Sequence, residues 1–220
     1  QGLFYRDCQR MVNRDRNVFA ACMVACGDAD AMVTGATRSF AVAYDDITRV
    51  FDPAPGARII GLQIVIAREH TIFIADTRVH EVPDAETLAD IATQSAAYAR
   101  LFGHVPRVAL LSYSNFGQPM APNTERVREA VRILDERGVD FEYDGEMAAD
   151  TALNPELRDR LYPFCRLSGP ANVLVMPALH SASIAAKLLQ QVGGGSVLGP
   201  MLLGVEKPVQ IVQIGATAQD

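Results

Sequence analysis

PRVALLSYSNFGQPMAPNTERVREAVRILDER, residues 106–137, carries the clearest indication of the fold class. The run RVALLSY at 107–113 is short and almost continuously apolar, which is typical of a buried strand. It is followed at 123–137 by a pattern of helical periodicity that predicts a helix with one apolar face. The apolar positions of that helix are Val127, Ala130, Val131 and Leu134. A buried strand followed by an amphipathic helix is the repeating unit of a parallel α/β sheet.

The same alternation extends over the rest of the chain. Apolar runs predict further strands at AMVTG (31–35), RIIGLQIVIA (58–67), HTIFIAD (70–76), NVLVMP (172–177), SVLGPMLLG (196–204) and PVQIVQIG (208–215). Helical spacing predicts helices over 5–26, 40–51 and 84–102, and one through SIAAKLLQQVGG at 183–194. We expect the second and third strands to form a hairpin around REH. The pattern predicts an α/β fold with a mostly parallel sheet covered by helices on both faces.

Composition indicates a globular protein and excludes several classes of partner. The chain is 49% hydrophobic and 21% charged, with a net charge of −6. An acidic chain lacks the cationic face that nucleic acids and anionic membrane surfaces require, and no run approaches the roughly 18 apolar residues of a membrane span. The chain starts at Gln1 inside an amphipathic pattern and ends at Asp220 just after an apolar run. We therefore expect it to be a piece of a longer polypeptide.

The four cysteines form no C-x-x-C pair and point to a reducing, cytoplasmic environment. They are Cys8, Cys22, Cys26 and Cys165. Cys22 and Cys26 are four residues apart and would share one helix face, so half a metal site is conceivable. Burial as small core residues is the preferred interpretation. The histidines, His70, His80, His104 and His180, also lack the spacing of metal ligands, so no metal site is expected.

Four loops that follow predicted strands are rich in small and hydroxyl residues. They are TGATRS (34–39), SYSNFGQP (112–119), ALHSAS (178–183) and GATAQD (215–220). In parallel sheets ligands bind beyond the carboxyl ends of the strands, and small residues let backbone amides approach phosphate or carbonyl oxygens. Each loop alone is also explained by turn chemistry, but together they favour a binding site. Gly193 to Gly195 follow a helix and are better explained as its C-terminal cap than as a phosphate loop.

Ordered motifs make the sequence similar to the phosphate acetyl/butyryltransferase family. These motifs are GDADAMVTGATRS (27–39), VHEVPDAETLADIATQSA (79–96), PRVALLSYSNFG (106–117), DGEMAADTAL (144–153), GPANVLVMPAL (169–179), AAKLLQ (185–190), GPMLLGVEKPV (199–209) and GAT (215–217). Within the family, residues 6–38 and VDFEYDGEMAAD at 139–150 most resemble the transferase-like C-terminal domain of bacterial NADP-dependent malic enzymes.

The resemblance implies a three-layer α/β/α fold like that of isocitrate and isopropylmalate dehydrogenases, with coenzyme A bound near a cleft between two subdomains. Residues of about 1–30 and 170–220 would lie toward the first subdomain, and about 31–169 would form the second. Part of the first subdomain's sheet would precede Gln1. The family implies a homodimer, and the parent enzyme a higher oligomer with upstream malic enzyme domains. NADP and a divalent metal belong to that parent, and no cofactor is expected in this chain.

Several positions depart from the pattern of active transferases in the family. Gln213 and Ile214 stand where a Ser-Arg pair would precede Gly215, and Asp220 corresponds to the base that acts on the coenzyme A thiol. A second substrate arginine corresponds to Asp45, which reverses its charge. An arginine clamp on phosphate contributes about 1.5–3 kcal/mol per charge-assisted hydrogen bond, so losing two clamps would cost orders of magnitude in rate. Asp220 would then be only a remnant of the base.

These departures favour a non-catalytic domain that binds acetyl-CoA or another acyl-CoA, regulates an attached malic enzyme and builds its oligomer. The alternative is an active phosphate acetyltransferase, and a third possibility is an assembly domain with an empty cleft. Arg38 and Lys187 are the expected cations for the coenzyme A phosphates, although either could be an ordinary surface charge. The resemblance assigns acetyl-CoA binding to Thr37, Arg38, Ser39, Ser112, Tyr113, Ser114, Ser181, Ser183, Lys187 and Gly215.

Overall fold

The computed structural model describes residues 4–67 and 70–216, which divide between two compact units. The central unit is Ile60–Gly199, and the terminal unit combines the segments on either side of it. The sequence suggested boundaries near residues 31 and 170. The chain instead changes unit after Ile59 and after Gly199, because the first strand pairs with the last one and the segment after residue 170 supplies a strand to the central sheet.

The terminal unit begins with two helices, α1 (Tyr5–Arg14) and α2 (Arg16–Cys26). The prediction of one helix over 5–26 was wrong because Asp15 has extended backbone angles and interrupts it. The Asp15 side chain accepts hydrogen bonds from the backbone N–H groups of Asn17 and Val18, at 2.7 and 3.3 Å. An aspartate in this position caps the helix that follows it, so Arg16 becomes the first residue of α2.

A two-stranded parallel sheet completes the terminal unit. Strand β1 (Met32–Gly35) pairs with β8 (Val209–Val212). Helix α3 (Phe40–Thr48) follows β1 in sequence and ends before residue 51, the predicted end. Gly35 has a φ of +111°, and a Cβ atom there would lie 2.0 Å from the carbonyl oxygen of Val212. Glycine therefore allows β1 and β8 to approach at the point where the TGATRS loop begins.

The central unit contains most of a six-stranded, mostly parallel sheet, as predicted, whose last strand in sequence continues past Gly199. Its strands are β2 (Ile60–Ala67), β3 (His70–Ala75), β4 (Arg107–Leu111), β5 (Glu142–Met147), β6 (Val173–Val175) and β7 (Ser196–Leu203). They are ordered β5-β4-β6-β3-β2-β7. The pairs β3–β6, β4–β6 and β4–β5 are parallel, whereas β2 and β3 form the predicted antiparallel hairpin.

Helices cover both faces of this sheet and so bury its strands on both sides. The helices are α4 (Ala85–Leu101), α5 (Pro122–Arg137), α6 (Ala149–Leu153), α7 (Pro155–Leu161) and α8 (Leu179–Val192). Ala109, Leu111 and Leu174 pack with Ala152 of α6 and Ala182 of α8 on one face. The intervening strand residues point to the opposite face, where α4 and α5 lie against the strands.

Three elements of the central unit were not predicted from the sequence. They are β5, α6 and α7. Strand β5 has the sequence EYDGEM, whose charged residues leave no apolar run of the kind by which strands are recognised. The two helices are only 5 and 7 residues long, too short to show helical periodicity.

The cysteine prediction was wrong in part, because helix α2 buries a different face. Ala21 and Val24 are buried, Cys22 is half-buried, and Cys26 is exposed. Burial raises the pKa of Cys22, and the neighbouring Cys26 and Cys8 raise it further. Among the described residues no group of His, Cys, Asp and Glu side chains is arranged to hold a metal ion. In the same part of the chain, no helix combines the length and the apolar character needed to cross a bilayer.

Candidate functional site

The TGATRS loop of the terminal unit borders an open groove of about 510 Å³. We call it the terminal groove. It is lined by Arg16, Asn17, Ala20, Met32, Val33, Thr34, Gly35, Ala36, Thr37 and Val212. Its volume lies within the range of about 300–1,000 Å³ that is usual for small-molecule sites. The capped start of α2 places Arg16 and Asn17 opposite the end of β1, so the wall combines a cation, hydroxyl groups and apolar surface.

Arg38 is held by two carboxylates instead of pointing freely at the groove. One terminal nitrogen, Nη1, donates to Asp15 at 2.6 Å and to Asp46 at 3.0 Å. The hydrogen bond to Asp15 raises the pKa of Arg38, and the attraction of that carboxylate raises it further. Partial burial raises the pKa of Asp15, but the hydrogen bonds from Arg38, Asn17 and Val18 outweigh it and the net shift is downward. Arg38 and its partners form an ion-pair network in which two carboxylates face one guanidinium.

A buried polar chain connects this network to the groove. The carboxylate of Asp46, which is 5% exposed, also accepts a hydrogen bond of 2.9 Å from the Asn17 amide. The Thr34 hydroxyl donates to the Asn17 carbonyl oxygen at 2.6 Å. Thr37 is exposed, and its hydroxyl oxygen accepts a hydrogen bond of 2.6 Å from Arg16. Ser39 has a local role, because its side chain accepts from the Val42 N–H at the start of α3.

The SYSNFG loop of the central unit is folded onto a buried carboxylate. Glu146 is fully buried, and its Oε1 atom accepts hydrogen bonds of 2.8 Å from the Ser114 hydroxyl and the Gly117 N–H. Its backbone carbonyl accepts the Phe116 N–H, also at 2.8 Å. The Nε atom of Arg128 lies 3.6 Å from the other carboxylate oxygen. Most polar groups of this loop are therefore already bonded inside the protein.

The remaining predicted residues of the central unit lie near the ends of strands β4 and β6. The Ser112 N–H donates to the Met147 carbonyl oxygen, and the Tyr113 side chain is exposed. The Ser181 hydroxyl donates to the Ala178 carbonyl at 2.7 Å, which ties it to the first turn of α8. Further along α8, Ser183 is half-buried and Lys187 is exposed.

Comparison with known proteins gives the family. The model of the family described as phosphate acetyl/butaryl transferase matches residues 1–220. The chain belongs to this family. It is 58% identical over 220 residues to the NADP-dependent malic enzyme of Rhizobium meliloti, covering 100% of this chain and 29% of that protein. It is 34% identical to the phosphate acetyltransferase of Bacillus subtilis, covering 94% of this chain and 64% of that protein.

A solved phosphotransacetylase from Streptococcus pyogenes has the same fold. It superposes with a TM-score of 0.87 at 35% identity, covering 94% of this chain and 64% of that one. The chain thus spans less than a third of the malic enzyme it matches and about two thirds of the transferases. The resemblance stated from the motifs, both to the transferase family and to malic enzymes, is confirmed.

The positions that the resemblance assigned to substrate arginines lie in the terminal unit. Asp45 is exposed on α3 and pairs with Arg49. Gln213, Ile214 and Gly215 follow β8 directly, Ile214 is 64% exposed, and Gly215 has a φ of +81°. Asp220 lies outside the described residues.

The structure brings together residues that sequence reasoning did not single out. Arg16 and Asn17 reach the terminal groove only because Asp15 starts a new helix there. The triplet Asp-Arg-Asn before an apolar helical run is a helix-start signal that could have indicated this placement. Glu146 offered no such signal, because a glutamate in a strand of charged residues looks exposed until the fold buries it.

Proposed function

We propose that this chain is an acetyl-CoA-binding regulatory and oligomerisation domain of an NADP-dependent malic enzyme, and that it has lost transferase chemistry. The parent protein would decarboxylate malate oxidatively with NADP and a divalent metal held by its other domains, in the cytoplasm. Support for the parent comes from the 58% identity to a malic enzyme of which this chain covers 29%. The isocitrate dehydrogenase-like classification of the fold belongs to the same proposal.

The observation that carries the loss of chemistry is the ion-pair network around Arg38. A transferase must hold a phosphate dianion with free cations at the moment of reaction. Here Arg38 is bonded to Asp15 and Asp46, while the two positions assigned to substrate arginines carry Asp45 and Ile214. Binding a dianion next to Asp15, Asp45 and Asp46 would add repulsion to the loss of the clamps.

Acyl-CoA binding is a separate part of the proposal. The terminal groove has a volume suited to part of a coenzyme A molecule, and its wall combines apolar side chains with hydroxyl groups. A neutral thioester needs hydrogen-bond donors and apolar surface more than it needs net charge. Thr37, Ser112, Tyr113 and the residues of α8 stay as proposed contacts of acetyl-CoA.

Titration calorimetry with acetyl-CoA, together with an assay for acetyl phosphate formation, tests this function. We expect saturable acetyl-CoA binding and no acetyl phosphate formation from acetyl-CoA and phosphate. In the longer protein, acetyl-CoA is expected to change the rate of malate-dependent NADPH formation. Turnover to acetyl phosphate would establish the transferase alternative. A folded chain that binds no acetyl-CoA would leave only the role in assembly, which light scattering measures as a dimer or a monomer.

A further inference from the structure

We propose that Arg16, and not Arg38, is the cation with which the terminal groove binds a phosphate group. The ligand class is a phosphate ester or diphosphate, such as those that coenzyme A carries, or a free phosphate ion. This inference deepens the proposed function and rests on it for the identity of acetyl-CoA. It reassigns a role that sequence reasoning gave to Arg38.

The carboxylates around Arg38 make it unsuitable for this role. Asp15 and Asp46 both accept hydrogen bonds from its Nη1 atom, and Asp46 is almost completely buried. A phosphate that approached Arg38 would have to displace a carboxylate from it, or lie beside that carboxylate at the cost of repulsion between like charges. Arg49, the next arginine along α3, is paired with Asp45 and Asp46 and is blocked in the same way.

Arg16 is placed differently although it follows Asp15 directly. The Asp15 carboxylate is already occupied by two backbone N–H groups of α2 and by Arg38. The Arg16 side chain extends into the wall of the groove, where its Nη2 atom donates to the Thr37 hydroxyl at 2.6 Å. Among residues 4–67 and 70–216, we find no carboxylate in an ion pair with Arg16.

Among the residues that the structure describes, the Arg16 guanidinium bonds a single neutral hydroxyl, which leaves it available for an anion. Guanidinium has five N–H donors in a planar fork that matches two phosphate oxygens. Thr37 holds the side chain against the loop, and its own O–H can be donated to the same anion. The pair Arg16 and Thr37 therefore presents a cation and a hydroxyl toward a groove whose other polar residues, Asn17 and Thr34, are bonded to each other.

The test compares three arginine variants of the chain by titration calorimetry with acetyl-CoA and, separately, with inorganic phosphate. We expect Arg16→Gln to weaken acetyl-CoA binding about tenfold or more, the effect of losing charge-assisted contacts, and Arg16→Lys to restore part of it. Arg14→Gln, two residues away on the exposed end of α1, is the matched control and should leave binding unchanged. Arg38→Gln should lower stability while the folded variant still binds. Circular dichroism verifies the folding of each variant.

Each outcome decides between the two arginines. Equal binding by Arg16→Gln and Arg14→Gln would overturn the proposal and leave acetyl-CoA binding intact. Loss of binding in a folded Arg38→Gln variant would also overturn it. If the wild-type chain binds inorganic phosphate but not acetyl-CoA, and Arg16→Gln abolishes this, the assignment of Arg16 holds and the acetyl-CoA function fails. Absence of binding for both probes would refute both.

Discussion

The loops TGATRS in the terminal unit and SYSNFG in the central unit have similar compositions, yet their polar groups are used differently. The first loop borders an open groove, and within the described part of the chain the groove cation Arg16 is bonded only to a hydroxyl. The second loop surrounds the buried Glu146, which takes up two of its hydrogen-bond donors. Small and hydroxyl residues therefore indicate where backbone can approach a ligand, but the carboxylates nearby decide which donors are left for it.

The two regions also differ in how charge is balanced. In the central unit a carboxylate is fully buried, and the hydrogen-bond donors of one loop and the guanidinium of Arg128 surround it. In the terminal unit the half-buried Arg38 lies between two carboxylates. The central loop should consequently depend on Glu146 for its conformation, whereas the terminal network should tolerate loss of its exposed members.

The largest expected effect comes from Glu146→Ala. Removal of the fully buried carboxylate leaves the Ser114 hydroxyl and the Gly117 N–H without their acceptor, while Arg128 keeps its ion pair with Glu125. Because each buried donor left without an acceptor costs about 1–3 kcal/mol, the free energy of unfolding should fall by about 3 kcal/mol or more. Urea unfolding measures this value. Glu129→Ala, on the more exposed side of α5, is the control and should change it by less than about 0.5 kcal/mol. Equal effects would mean that Glu146 does not hold the loop.

A smaller effect is expected from Asp46→Ala, with its neighbour Asp45→Ala as the matched control. Asp46 is 5% exposed and accepts hydrogen bonds from Asn17 and Arg38, so its loss should cost about 2 kcal/mol. The Asp45 side chain is 65% exposed and pairs with Arg49 across one helix turn, which is worth about 0.5 kcal/mol or less. Chemical denaturation of the two variants measures the difference. Similar losses would contradict the buried network.

The smallest effect is expected from Tyr143→Phe. The contribution of the Tyr143 hydroxyl in the central unit should be lost at high pH, whereas the ion pairs of Arg38 in the terminal unit should not. Burial raises the pKa of Tyr143 from 10 to about 12, and its hydrogen bond of 2.6 Å to Asp135 contributes to the shift. A raised pKa means that the contribution is complete below about pH 10 and is lost as the pH rises through about 12. The hydroxyl should contribute about 1 kcal/mol at neutral pH. The Arg38 network should persist in this range, because the pKa of Arg38 is itself raised.

Absorbance of tyrosinate measures this pKa, since the difference between wild type and Tyr143→Phe isolates one of six tyrosines. Denaturation at neutral pH and near pH 12 then gives the two stabilities. A pKa of Tyr143 near the ordinary value of 10 would contradict its hydrogen bond to Asp135.

Much of the fold could be predicted because the apolar pattern that indicates a strand or a helix lies within the element itself. The β2–β3 hairpin, the helix that begins after Asp84 and the parallel sheet all follow from patterns within about 20 residues. The errors have local causes as well. Asp15 caps a new helix where periodicity alone continues the old one, and the charged residues of β5 conceal a strand.

The motifs determined the family, because motifs depend only on residue identity and order. The tertiary structure alone decided which charges are free. Asn17 meets Asp46 across 29 positions and Ser114 meets Glu146 across 32, so no local pattern encodes either hydrogen bond. The same applies to Arg16 and Arg38. Whether an arginine can bind a phosphate depends on the carboxylates that the fold brings beside it, and these leave Arg16 available and Arg38 engaged.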